Sequence, residues 1–195
     1  MPQPPQNTAA PQRTEWIVIT GAPSSGKTSV INDLKARGYD VQDEVAREYI
    51  EACISRGLSM QDIRADGGMD LQRQILRLKT AREAVLSPKE TVFLDRGIPD
   101  SMTYFRLAGL DVGAAREAAA YFLYDAVFLF DRLPVVNDGV RIEDEVLASE
   151  IDQMLMRDYR SLGYDPVRVP VMPIAKRTDF ILNFLQLPVK RAVTP

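Results

Sequence analysis

Apolar positions along this chain cluster into short runs, separated by longer stretches in which they recur every three or four residues. The runs are WIVIT (16–20), YDVQ (39–42), TVFLD (91–95), DAVFLF (125–130) and PVRVP (166–170). Short runs bounded by turn residues are what strands covered on both faces look like. Between them the pattern predicts helices at Ser29 to Arg37 and at Glu44 to Arg56, the latter ended by Gly57. A third carries Leu71, Ile75, Leu78 and Val85 on one face and stops at Pro88; another has Leu147, Ile151, Met154 or Leu155, and Leu162 before Gly163. Phe180, Ile181, Phe184 and Leu185 mark the last. Strands alternating with helices predict an α/β fold, a five-stranded parallel sheet with helices on both faces.

Residues 1–14, MPQPPQNTAAPQRT, have no periodicity and are rich in Pro and Gln, which predicts a disordered tail ahead of a single domain over 15–195. A chain of 195 residues suffices for one domain burying roughly 70% of its unfolded surface. The stretch from Asp131 to Glu145 is polar, turns at Asn137-Asp138-Gly139, and lies between a strand and a helix, where a lid is expected.

The chemistry starts at GAPSSGKT, Gly21 to Thr28, directly after the first strand and opening a helix. It fits G-x-x-x-x-G-K-[ST], the phosphate loop of nucleoside triphosphate-binding proteins. Gly21 and Gly26 let the loop backbone, from Ala22 and Pro23 through Ser24 and Ser25 to Ser29, turn its N–H groups, which Pro23 alone lacks, toward phosphate oxygens at a helix N-terminus. Lys27 is expected on the β- and γ-phosphates and the Thr28 hydroxyl on Mg²⁺. The nucleotide is expected to be ATP, with GTP left open.

A Ras-type GTPase needs D-x-x-G and [NT]-K-x-D, and neither occurs. A dedicated hydrolase would end a strand in Asp-Glu, whereas the two candidate strands end in Asp95-Arg96 and Asp131-Arg132. A carboxylate at a strand's carboxyl end lies where ligands bind in a parallel sheet, so Asp95 is a candidate Mg²⁺ ligand and Arg96 a candidate grip on the acceptor or a phosphate. An ion pair closing the strand is the plainer alternative for each pair. In QDEVARE, Asp43 or Glu44 is placed to accept an acceptor proton, with Arg47 one turn on; acids favouring a helix N-terminus explain them equally. Arg141, in the lid segment, is the candidate for stabilising the transferred group, with Arg157 and Arg160 behind it, and a solvated loop charge is its alternative.

Taken in order, GAPSSGKT, DEVAREYIE, FLDRGIPDSMTYFRLAG, FLFDRLP, DGVRIEDE, YRSLGY and VPV…KRTDFIL resemble the small P-loop family of kinase-like AAA domains. That family includes the ribosylnicotinamide kinase domain of NadR-type proteins and the TRPL-translocation-defect type of nucleotide-binding protein. The resemblance, from Trp16 to Leu185, implies a nucleoside-kinase-like sheet of strand order 2-3-1-4-5 with a helical lid. It also implies Glu44 and Arg47 toward the acceptor, Asp95 and Arg96 as the acidic and arginine pair of the third strand, Arg141 as the lid arginine and Arg177 beside the adenine. The lid helix opens EDEVLASEID, acidic where many such kinases place further arginines.

Composition narrows the reading. With no histidine, Ser-His-Asp and Cys-His catalysis and imidazole metal sites are excluded within one polypeptide. A net charge of -3 gives no reason to expect nucleic acid, and no run reaches the length of a membrane span. The single cysteine, Cys53, forms no internal disulfide and reads as a small buried apolar side chain, in keeping with a reducing cytoplasm. The leading expectation is an ATP-dependent kinase acting on a small hydroxyl acceptor such as a nucleoside or related riboside, with Asp43, Glu44 or Asp95 as base. The alternative is a nucleotide-dependent regulatory module with slow hydrolysis and a protein or lipid partner.

Overall fold

The structure, a computed structural model, describes residues 10–133 and 142–188, and on the helix that opens at Ile142 it describes side chains from Glu145 onward. Its five-stranded sheet is parallel throughout: β2 (Trp16–Thr20), β3 (Asp40–Gln42), β4 (Val92–Asp95), β6 (Ala126–Phe130) and β7 (Val167–Val169), in spatial order β3-β4-β2-β6-β7. In sequence rank this is 2-3-1-4-5. A second, two-stranded pairing joins β1 (Gln12–Arg13) to β5 (Phe122–Leu123), so the chain is already structured within the stretch expected to be tail.

All five residues of β2 are buried because the strand is central and covered on both faces. Its alternation sorts the core. Ile17 and Ile19 pack with Phe93, Phe128, Phe130 and Val169 against α1 (Lys27–Ala36) and α8 (Ile174–Phe184). Trp16 and Val18 point the other way, to Val92, Leu94, Val127, Tyr124 and Tyr159, the last on α7 (Ile142–Ser161). Trp16 is fully buried and its indole N–H donates to the Ser87 carbonyl at 2.9 Å, which satisfies its one polar group.

The remaining helices are α2 (Val45–Ser55), α3 (Met60–Ile63), α4 (Met69–Glu83), α5 (Asp100–Leu107) and α6 (Gly113–Ala119). The short α3 opens with a Ser59–Asp62 capping box. One expected face is corrected. Leu71 and Ile75 of α4 are buried, but Leu78 is 41% exposed and Val85, beyond the helix end, is 82% exposed. The buried stripe steps by four, Leu71, Ile75, Lys79, Glu83, and its last two members are charged. In α7, likewise, Ile151 and Leu155 are buried while Leu147 faces out. Cys53 is buried and unpaired by any disulfide.

Candidate functional site

The carboxyl ends of the parallel strands lead into the phosphate loop, Glu44 and the Asp95-Arg96 turn, whereas Arg160, 3.9 Å from Asp165 ahead of β7, lies at the opposite edge. β2 feeds the phosphate loop. Gly26 closes it at φ 82°, a left-handed conformation that glycine adopts without strain, and α1 starts at the next residue with no acidic side chain in its first turn. A helix N-terminus free of negative charge suits an anion.

Lys27 is buried, and its ammonium donates to the Ala22 carbonyl (2.9 Å) and the Ser25 hydroxyl (3.1 Å), so the loop's own oxygens satisfy the charge. Burial, followed by the positive charge of Arg96, brings its pKa down to about 7, against the pull of Asp95, Glu44 and Asp100. Asp95, at the end of β4, pairs in register with Ile19 of β2, one residue before Thr20 and the loop. Its carboxyl is pushed up to about 6, chiefly by burial, and its Oδ1 is buried with no hydrogen-bond partner. An orphaned buried carboxylate oxygen at this place fits a Mg²⁺ ion or its coordinated water. Thr28, half-buried at the start of α1, would supply a second oxygen.

Arg96 follows with φ 70°, a left-handed backbone rare for a side-chain-bearing residue, and its N–H donates to the Ile19 carbonyl at 3.0 Å. Its guanidinium donates from Nε to Glu44 (2.9 Å) and from Nη1 to Asp100 (3.0 Å), and stacks over the Tyr104 ring at 5.4 Å. Glu44 stands at the N-terminus of α2 without a side-chain capping bond, and its side chain is 20% exposed. Of the two acids in QDEVARE it is the one brought to Arg96. The Asp43 carboxylate pairs with Lys35 at 3.2 Å, and Arg47 is exposed. Asp100 is fully buried, accepting from Thr20 (2.6 Å) and from Tyr159. Burial alone would lift its carboxyl, but Lys79, Arg96 and the two hydroxyls outweigh that and hold it below the usual range.

Arg177, on α8, is 2% exposed. Its planar fork donates to three carbonyls: Ser25 of the phosphate loop (2.5 Å), Asp131 at the end of β6 (3.2 Å) and Pro170 after β7 (2.9 Å), with one face on the Phe130 ring at 5.1 Å. The guanidinium thus ties the loop to two strand ends. The second Asp-Arg pair is divided: Arg168 donates to Asp131 (3.3 Å), and Arg132 to the Glu145 carbonyl (3.1 Å). Arg141 lies outside the described residues.

Sequence reasoning missed Lys79, Glu83, Asp100, Tyr124 and Tyr159, all buried and polar at one end. A signal existed for three of them. Lys79 and Glu83 continue the four-residue step of Leu71 and Ile75, and Asp100 stands four residues from Arg96, one turn away.

The site and fold together define a P-loop α/β protein of kinase-like architecture. The chain belongs to an AAA domain family, whose model matches residues 16–177. No curated protein matches it. Among solved structures it is similar to the NadR protein in complex with NR, at 19% identity and TM-score 0.67, covering 93% of this chain and 54% of that one. It is also similar to the deoxyadenosine kinase from M. mycoides (18%, TM-score 0.55, 88% and 98% covered) and to the thymidylate kinase from Ehrlichia chaffeensis (14%, TM-score 0.55, 91% and 100%). The chain therefore spans about half the length of the NadR protein and nearly all of the two kinases. Among the described residues no helix is long and apolar enough to cross a membrane.

Proposed function

We propose that this protein is a Mg-ATP-dependent kinase that phosphorylates the hydroxyl of a nucleoside or related riboside. The observation that carries the reading is the convergence of Lys27, Asp95, Arg96 and Glu44 at one strand edge, with Glu44 held by Arg96 and partly open to solvent. A hydrolase site built to activate water does not need a buried arginine fixing its carboxylate. The two kinases among the structurally similar proteins, and the NR bound by the NadR protein, support the same reading.

In this mechanism the loop amides and Lys27 hold the β- and γ-phosphates. Thr28 and Asp95 would hold Mg²⁺, which would supply charge neutralisation to the phosphates. Arg96 orients the acceptor, and Glu44 takes the proton from its hydroxyl. The hydroxyl oxygen forms a bond to the γ-phosphorus as the bond from that phosphorus to the bridging oxygen breaks, and ADP leaves with the bridging electron pair. Arg141, carried over from the family resemblance, stabilises the transferred group.

The test is Mg²⁺-dependent ADP release from ATP, with and without a panel of nucleosides that includes nicotinamide riboside. One or a few acceptors are expected to raise the rate at least tenfold and to appear as phosphorylated product. A flat, acceptor-independent rate across the panel, with ATP bound saturably, would replace the kinase with a regulatory nucleotide switch.

The metal assignment has its own check. Protonation of Asp95 competes with Mg²⁺ below about pH 6, so the gain in ATP-analogue affinity on adding Mg²⁺ should shrink as pH falls through that value. Asp95→Asn should abolish the gain at every pH. An undiminished Mg²⁺ effect in that variant would remove Asp95 from the metal site.

A further inference from the structure

The turn that carries Arg96 is gripped by its peptide groups from two neighbouring elements. Lys79, on α4, is buried and donates from Nζ to the Gly97 carbonyl at 2.8 Å. One helical turn on, Glu83 lies with its two carboxyl oxygens 2.9 and 3.0 Å from the Tyr124 hydroxyl, which donates to it. The same hydroxyl accepts the Ile98 N–H at 3.0 Å. Gly97, between these two bonds, is closely packed: a Cβ there would come within 3.0 Å of both the Tyr124 ring and the Tyr159 hydroxyl. Arg96, just before it, holds its left-handed backbone.

Nothing in phosphate binding or proton transfer uses these groups, yet two ionisable side chains and a tyrosine hydroxyl are buried to make them. A buried ion pair can often be exchanged for apolar residues of similar size without loss of stability, so packing alone does not account for these groups. We propose that Lys79, Glu83 and Tyr124 are positioning residues. They clamp the Gly97 carbonyl and Ile98 amide so that Arg96 keeps its left-handed conformation and its guanidinium stays between Glu44 and Asp100. The clamp makes α4 a determinant of acceptor-site geometry, although none of the three residues is expected to touch the acceptor. The proposal rests on the kinase reading only for what Arg96 is held to do.

The test reads Arg96 directly, so that it stands whether or not an acceptor is found. In ¹H–¹⁵N spectra of the full chain at neutral pH, the Arg96 Nε–H, assigned by its loss in Arg96→Lys, should be protected by burial and by its bond to Glu44. In Tyr124→Phe and in Lys79→Met its exchange should quicken by about tenfold or more, the scale of one lost hydrogen bond. Glu83→Gln keeps an acceptor for the tyrosine hydroxyl and should stay near wild type, whereas Glu83→Leu should behave like Tyr124→Phe.

Once an acceptor is in hand, the damaging variants should lose about 10²-fold in kcat/KM for it, the scale of a small misplacement at the reacting centre, with ATP-analogue affinity within threefold of wild type. Tyr124→Phe preserves the ring packing and keeps the test decisive if loss of the Lys79 ammonium unfolds the chain. Unchanged Arg96 exchange in folded Tyr124→Phe would overturn the proposal. So would equal acceleration of protected amides throughout β2 and β4, which would mark a general loss of stability. Changed Arg96 exchange without acceptor-dependent turnover would sink the kinase reading and leave the clamp standing.

Discussion

Lys27→Ala is expected to lower acceptor phosphorylation by about 10³-fold, on the scale of removing one preorganised charge contact to the transition state. The same variant should be at least as stable as wild type. In the free protein the Lys27 ammonium is buried against one carbonyl and one hydroxyl, and burial brings its pKa from 10.5 down to about 7. The folded state therefore disfavours the charged form, a penalty on the order of a few kcal/mol. Between pH 7 and 10.5 the unfolded chain binds more protons at this residue than the folded one, so its contribution to stability rises as pH rises through that window. Below pH 7 the penalty is present in full. Urea unfolding should accordingly show the gain of Lys27→Ala to be largest near neutrality and to fade toward pH 10. Turnover within tenfold of wild type, or a lower melting temperature at pH 7, would contradict this account. Loss of function with gain of stability is what a strained functional site produces.

The central strands were legible because a parallel strand covered on both faces shows as an apolar run, and WIVIT and VFLD are fully buried in the fold, whereas the edge strands β3 and β7 are only partly buried and showed as short segments between turn residues. β1 and β5 were not, since two residues each carry no periodicity and exist only through their pairing. The phosphate loop was legible because its chemistry is local: eight consecutive residues supply the cradle. Glu44 and Arg96 were legible as candidates, but not as a pair, because 52 residues separate them and only the sheet order joins them. The same reason hid Tyr124 and Tyr159, whose partners lie on other elements. Lys79 and Glu83 were lost to a different rule, that charged positions on a helix face water, and that rule led to Leu78 and Val85 instead. Arg177 was placed beside the adenine by family resemblance alone. Its three carbonyl contacts show what local reading could not, that a residue of the last helix holds the first loop.

Glu83→Gln is expected to change how stability depends on pH, with a sign that the burial of Glu83 dictates. Glu83 is 3% exposed, and burial pushes its carboxyl from 4.5 up to about 7 despite the Tyr124 hydroxyl and the Lys79 ammonium, which favour the ionised form. Between those two values the folded protein binds more protons than the unfolded chain. Its stability contribution is therefore greatest at low pH, falls as pH rises through that window, and is fully lost above about pH 7, a difference of about 3 kcal/mol. Glutamine resembles the protonated acid and does not titrate, so the variant should match wild type only below about pH 4.5 and exceed it at pH 8. Part of that gain is taken back, because Lys79 loses a neighbouring negative charge that helps to hold its own buried ammonium. The net gain at pH 8 should be about 1–2 kcal/mol in urea unfolding. A loss at pH 8 instead would mean that Lys79 and Glu83 behave as a true ion pair whose attraction exceeds the desolvation of both, and the carboxylate rather than the neutral acid would be the form that receives the Tyr124 hydroxyl at neutral pH.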